Sequence, residues 1–556
     1  MPIQTADSAA DLAVVRDYHQ RTKHRFEAYA AGPGTLDWDE QPAPFRHFAG
    51  APQVRLPRLS HRAPDTALQR ALQRPFAALD EPGLAPLPPD LESIGALLQL
   101  SLGLTAWKSY GPDRWAVRAN PSSGNLHPTE AYLLLAGIDG LADGLYHYRP
   151  EDHALELRAA HMAAGGGPRL AILLTSVMWR EAWKYGERAF RYCQLDTGHA
   201  AGALRYAAAS LGWRLAEQPQ VGSDTLARLA GIDRLAEFPA RRRAETEVEE
   251  AEILLAVGFD AAAPTPLAAA ELRALAETAH WHGMASTIDR HPMYGWPVIA
   301  EVARATRRAD GQPPAPAALP PATPRPAGAA QKPVRQLLSE RRSAQRFDHR
   351  HVMPLVQFAA ILARLRPAAG LPWDTFGETP RAALVLFVSR VEGLQPGLYL
   401  LPRSKAQQVA LLKLLGERFR PEPVPGVDGL LRLSLFEPAV LQRIARGLHC
   451  HQELAANACF ALGMLGEFDA ALAGGPAAYR SLYREAGLIG QALYLEAEAQ
   501  GLRGTGIGCF FDDPMHDLLG LAGSAWQSLY HFTVGRPLDD PRIESAPAYA
   551  DDPSPR

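Results

Sequence analysis

The chain is short of several things, and each shortage excludes something. No apolar run approaches the ~18–20 residues of a membrane-spanning helix, so no membrane partner is expected. The opening residues Met1-Pro2-Ile3-Gln4-Thr5-Ala6-Asp7 carry neither a basic stretch nor an apolar core, so no secretory signal is expected. The four cysteines, Cys193, Cys450, Cys459 and Cys509, are widely scattered. That usage fits reduced thiols and a cytoplasmic location rather than a disulfide framework. A net charge of −3 gives no basic field for nucleic acid. His449-Cys450-His451 has no second ligand pair at metal spacing and reads as a helix segment, so no metal is expected.

What is present points to a large duplicated protein. Its 556 residues exceed the ~250–300 at which a single core stops growing, so two or more domains are expected. Residues 309–333 are nearly all Ala, Pro, Gly and Thr and read as an extended linker. The flanking segments, 1–308 and 334–556, share two patterns. Ile138-Asp139-Gly140-Leu141 … Gly144-Leu145-Tyr146 matches Val391-Glu392-Gly393-Leu394 … Gly397-Leu398-Tyr399, an offset of 391 − 138 = 253. Phe190-Arg191 … Gly198 … Ala203-Leu204 … Gly212 matches Tyr479-Arg480 … Gly487 … Ala492-Leu493 … Gly501, an offset of 487 − 198 = 289. The order is kept, and the difference of 289 − 253 = 36 residues is an insertion in the second half, within 403–475. So long a period suggests a fused dimer rather than a solenoid.

The coarse pattern is α+β. Leu133–Ala136, Leu170–Ser176, Ala251–Val257, Ala383–Ser389 and Leu529–Val534 read as short strands. Asp90–Leu102, Cys193–Leu211, Leu454–Leu472 and Tyr483–Gln500 read as amphipathic helices. No regular βαβ alternation connects them.

Three segments carry chemistry. Pro121-Ser122-Ser123-Gly124-Asn125 combines a fixed φ, small hydroxyls and a glycine, which lets backbone approach a planar partner. Arg341-Arg342-Ser343-Ala344-Gln345 offers forked, permanently charged donors beside a hydroxyl and an amide, suited to a phosphate or a polar ring edge. Lys184-Tyr185, beside Trp183, is a general acid/base pair if burial depresses the lysine. A fourth stretch, Gly504-Thr505-Gly506-Ile507-Gly508, has neither the spacing nor the following helix of a dinucleotide site.

Residues 118–132, Arg-Ala-Asn-Pro-Ser-Ser-Gly-Asn-Leu-His-Pro-Thr-Glu-Ala-Tyr, resemble the flavin-edge loop of nitroreductase-like flavoproteins, in the form carried by SagB-type dehydrogenases. Arg341–Phe347 looks like the motif that opens those domains, with Gln345 in place of the usual basic residue. The resemblance implies two tandem nitroreductase-like domains forming an intramolecular pseudo-dimer, with FMN as cofactor. It implies FMN contacts from Pro121, Ser122, Ser123, Gly124, Asn125, Arg341, Arg342, Ser343 and Gln345, from Gly508 and Cys509 near the ring, and from Arg542 at the phosphate. Lys184 and Tyr185 are implied as the base and proton relay of an azoline-type dehydrogenase acting on a small molecule or modified peptide. The alternatives are an NAD(P)H-dependent nitro- or quinone-reductase, and a flavin-binding scaffold subunit. Offset 253 carries Arg341–Ser343 to Pro88-Pro89-Asp90, and Pro121–Asn125 to Asp374–Glu378. Each half therefore keeps one element, and one FMN site per chain is expected.

Overall fold

The computed structural model describes residues 6–59, 66–81, 84–160, 167–240, 243, 245–260, 263–312, 317–322 and 330–549. Of the expected linker, 313–316 and 323–329 lie outside the described residues.

The first half builds an antiparallel sheet from β1 (Thr129–Ala136), β2 (Gly144–Arg149), β3 (Ala154–Ala160), β4 (Arg169–Ser176), β5 (Arg214–Glu217) and β6 (Glu250–Gly258). Their order in space is β3-β2-β1-β4-β6-β5. The second half uses β7 (Ala382–Val388), β8 (Gly397–Leu401), β9 (Leu431–Leu435), β10 (Phe460–Gly466), β11 (Arg503–Ile507) and β12 (Gln527–Gly535). Their order is β9-β8-β7-β10-β12-β11, the same arrangement. Central strands are buried on both faces, and side chains alternate between two cores. Leu133 and Leu135 join one apolar cluster, while Tyr132 and Leu134 join the other. Leu384 and Leu386 alternate likewise with Val385 and Phe387.

Three helices matter for the site: α1 (Met178–Tyr185), α2 (Ala189–Ser210) and α3 (Ala478–Ala499). Every residue of α2 is buried. The sequence offsets recur as geometry. α2 and α3 have the same length, and 478 − 189 = 289. A Cβ on Gly198 would collide with the Arg484 carbonyl, and one on Gly487 with the Leu195 carbonyl. Both pairs are related by 289, and the helices cross at points where only glycine fits. Phe190 and Tyr479, also 289 apart, stack with ring centroids 6.1 Å apart. Tyr146 and Tyr399, 253 apart, each donate a hydroxyl hydrogen bond to the carbonyl four residues back. The extra chain of the second half lies between Leu401 and Phe460, and includes the helices Lys405–Leu415 and Pro438–Leu448.

The helix expected over Leu454–Leu472 is a correction. That stretch is the short helix Glu453–Asn457, strand β10 and the short helix Phe468–Leu472. An apolar run cannot by itself distinguish a buried strand from a buried helix. Here β10 is taken up between β7 and β12, and its two glycines disfavour a helix. His449–His451 is a second correction. The helix ends at Leu448, and Cys450 and His451 both have positive φ.

The halves interlock at both termini. Strand Glu544–Pro547 pairs with Leu104–Tyr110 of the first half. The amino-terminal helix Ala6–Arg21 reaches the second half through His19, whose ring nitrogens meet Tyr479 Oη and Gln527 Oε1 at 3.2 and 3.0 Å. No helix among the described residues is long and apolar enough to cross a membrane.

Candidate functional site

A cavity of about 830 Å³ opens beside the α2–α3 pair, within the range of small-molecule and cofactor sites. Its walls come from both halves. The first contributes Pro121–Asn125, Tyr185, Tyr192, Asp196 and His199; the second contributes Arg341–Gln345, Tyr494, Gly506–Cys509 and Tyr530.

Side chains sew the serine loop down. The backbone N–H and hydroxyl of Ser123 donate to Asp196 at 3.0 and 2.9 Å. Ser122 Oγ accepts the His127 N–H at 2.8 Å, and Asn125 Nδ2 donates to the Ala116 carbonyl at 2.8 Å. Gly124 and Asn125 take φ of 57° and 61°. A Cβ on Gly124 would meet the Tyr185 hydroxyl, so this glycine permits the close approach of the phenol to the loop. Both Ser123 donors are therefore engaged by Asp196. Burial pushes the Asp196 carboxyl up to about 7, against the lowering effect of the Ser122 and Ser123 hydrogen bonds.

At the other end lies a cluster of cations. Arg341 is buried, donates to the carbonyls of Ala119 and Arg118 at 2.9 and 3.2 Å, and lies over the Tyr494 ring. Its Nη1 is a buried donor with no hydrogen-bond partner. Arg342, Arg503 and Lys108 line the same end. Burial and its arginine neighbours bring Arg342 down to about 10. Burial and Arg342 lower Lys108 as well. Like charges that disfavour one another around a buried free N–H suit an anionic group. Ser343 Oγ and the Gly506 N–H each meet the Tyr494 hydroxyl at 2.9 Å. Gln345 lines the cavity too.

The glycine stretch is strand β11, paired with β12. A Cβ on Gly508 would strike the Tyr192 ring. Arg188 and Arg191 both grip Asp512 at 2.9 Å, which ties the segment after Gly508 to α2.

Three expectations change here. Cys509 is not a free thiol: it forms a disulfide with Cys450, across 59 residues, while Cys193 and Cys459 are free and buried. That separation carries no local signal, because tertiary packing alone sets the 5.8 Å Cα–Cα distance. Arg542 does not line the cavity. It is paired with Asp540 at 2.6 Å on the surface, although Asp540, Pro541 and Ile543 do line the cavity. Lys184 is also absent from the wall; its Nζ lies 5.4 Å from the ring centroids of Trp38 and Tyr185, and burial lowers its pKa. Tyr185 reaches the wall as a neutral phenol, held so by burial. Sequence reasoning missed Asp196, Tyr494, Tyr530 and Arg503 as wall residues.

Residues 338–536 match the family model described as Nitroreductase family. The fold of nearly the whole chain is shared with a putative nitroreductase from Anabaena variabilis, at a TM-score of 0.67 and 22% identity, covering 94% of this chain and 99% of that one. A putative nitroreductase of Methanocaldococcus jannaschii is 26% identical over 137 residues, 22% of this chain; the match spans 66% of that relative's length. Residues 338–536 are therefore similar to the nitroreductase family, and the chain as a whole shares the fold of a nitroreductase.

Proposed function

We propose that this chain is an FMN-dependent oxidoreductase whose two halves form an intramolecular pseudo-dimer around one FMN. The observation that carries the reading is the cavity itself: a cluster of cations with an unpartnered buried Arg341 N–H at one end, and the Pro121–Asn125 loop with Tyr185 at the other. These residues fit the group. Arg341, Arg342, Arg503 and Lys108 hold the phosphate end. The Pro121–Asn125 and Gly506–Cys509 segments flank the ring, with Tyr185, Tyr530 and Tyr192 packed against Gly124, Gly506 and Gly508. When bound, FMN supplies the two-electron chemistry by accepting a hydride.

The reaction we assign is dehydrogenation of a C–N or C–C bond in an azoline-like small molecule or modified peptide. Lys184, partly desolvated between Trp38 and Tyr185, takes the proton that leaves as the hydride departs. Tyr185 relays it from the cavity wall. The two arginine–Asp512 pairs and Asp196 hold the walls in place. One FMN extracted per purified chain, and its loss from Arg341→Ala, test the site. Lys184→Ala tests the base: FMN stays bound and oxidation of an azoline compound slows strongly. Unchanged turnover removes Lys184 from the mechanism.

One observation favours a second reading. Lys184 does not line the cavity, and an NAD(P)H-dependent nitro- or quinone-reductase requires no protein base. Rapid bleaching of the bound flavin by NADPH selects that reading; slow bleaching selects the dehydrogenase.

A further inference from the structure

Glu181 has no role in the description so far, and it is an expensive residue to keep. It lies on α1, three residues before Lys184 and four before Tyr185, so the three side chains share one helical face. Its relative exposure is 0%, and neither carboxylate oxygen has a hydrogen-bond partner. A buried, unpartnered carboxylate is strongly disfavoured as an anion, so at rest Glu181 keeps its proton. Burial is the main cause of its raised pKa, and the negative charge of Asp196 adds to it. The Lys184 charge favours the Glu181 anion, and the Glu181 charge favours the Lys184 cation. Among the described residues Lys184 is in no ion pair, and its Nζ lies 5.4 Å from the centroids of the Trp38 and Tyr185 rings. From α2, Asp196, Tyr192 and Cys193 also feel Glu181, as does Tyr185 from its own helix.

We propose that Glu181 is a switchable counter-ion for Lys184: it stays protonated while the amine is neutral, and ionises as Lys184 takes a proton. The inference rests on Lys184 being the base. The substrate loses a hydride, with its electron pair, to FMN, and a proton to the Lys184 nitrogen lone pair. As that N–H bond forms, the Glu181 O–H bond breaks and its proton is released to water, so the proton gained by the amine is matched by the one lost from the carboxyl. The helix turn then holds an ammonium–carboxylate pair with no net charge, so Lys184 can protonate without leaving an isolated cation in a buried place. Glu181 is a positioning residue, acting through Lys184, and its value is read on the lysine.

The test uses the full chain loaded with FMN and labelled at its lysines, of which there are six. The Lys184 resonance is identified by its loss in Lys184→Arg. Its titration midpoint should fall by about one unit or more in Glu181→Gln, with most of the shift recovered in Glu181→Asp and FMN content unchanged in both. An equal midpoint in wild type and Glu181→Gln overturns the pairing. Infrared spectroscopy gives a second reading on the wild type: a protonated buried carboxyl band must be present, absent from Glu181→Gln and displaced in Glu181→Asp. Its absence from the wild type also overturns the proposal. If Lys184→Ala oxidises an azoline compound as fast as wild type while the midpoint still moves in Glu181→Gln, the base assignment fails and the proton-sharing pair stands.

Discussion

The two ends of the α2–α3 pair are built from residues at matching offsets, yet one end is a cavity and the other is nearly closed. The open end has about 830 Å³, whereas a pocket at the other has about 60 Å³. Where the open end has Ser123 and Asn125, the closed end has Phe376 and Glu378 (376 − 123 = 253; 378 − 125 = 253). Where Gly506 lines the cavity against Tyr530, its counterpart Glu217 (506 − 289 = 217) is locked to Arg308 at 3.0 Å. Asp196 receives the serine loop, but its counterpart Glu485 (196 + 289 = 485) accepts the Arg381 N–H at 2.7 Å and pairs with Arg403, which lies over Trp373. The lesson is physical. A site for a flat anionic ligand needs small residues at the wall and a cluster of like charges that keeps a donor free, as Arg341 Nη1 is here. Bulk and internal ion pairs at the same positions convert it into core.

That contrast can be broken or sharpened experimentally. The largest effect is expected at the shared crossing. Gly198→Leu places a side chain into the Arg484 carbonyl and should cost more than ~3 kcal/mol, seen as loss of the cooperative unfolding transition. Because both ends depend on this crossing, a stable variant would show that the helices can move apart.

Arg341→Ala should weaken FMN binding by about 10–100-fold, the worth of a charge-assisted hydrogen-bond pair, measured by flavin fluorescence. Phe376→Ser with Glu378→Asn, which restores the open-end residues at the closed end, should leave that affinity and a stoichiometry of one unchanged. Two flavins per chain would end the asymmetry.

Asp196 makes the open end sensitive to pH. Its folded pKa is raised to about 7, above the unfolded carboxyl range. Its favourable contribution is therefore complete in acid and is lost as pH rises to about 7. Asp196→Asn should flatten that slope in thermal unfolding of the apo-protein across this interval.

The smallest effects lie at the edges. Denatured, unreduced protein should expose two thiols, those of Cys193 and Cys459, and four after reduction. Arg542→Ala should leave flavin affinity unchanged, since Arg542 is engaged with Asp540 outside the cavity.

Legibility in the sequence tracked the range of the interactions. The helices at 189–210 and 478–499 and most strands could be read from local periodicity, because each is set by neighbours a few residues away. Strand β10 was misread because only its pairing with β7 and β12 distinguishes it from a helix. The serine loop and the arginine pair were legible as composition, and they do meet in one cavity. Their detailed roles were not. Ser123 faces Asp196 across 73 residues, and Arg542 lies two residues from a better partner than any ligand. Lys184 was visible as a motif, whereas its distance from the wall and the unpartnered Glu181 one turn earlier were not.

By itself the sequence determined an α+β chain with two repeated patterns, one serine loop in the first half and one arginine cluster in the second. Repeats, glycines at fixed offsets and charge clusters survive in one dimension. Only the tertiary structure decided which end of the helix pair stays open, which cysteines join and which carboxylate stands behind the lysine. Those outcomes depend on burial and on contacts between residues hundreds of positions apart, where desolvation sets both the space and the proton affinity.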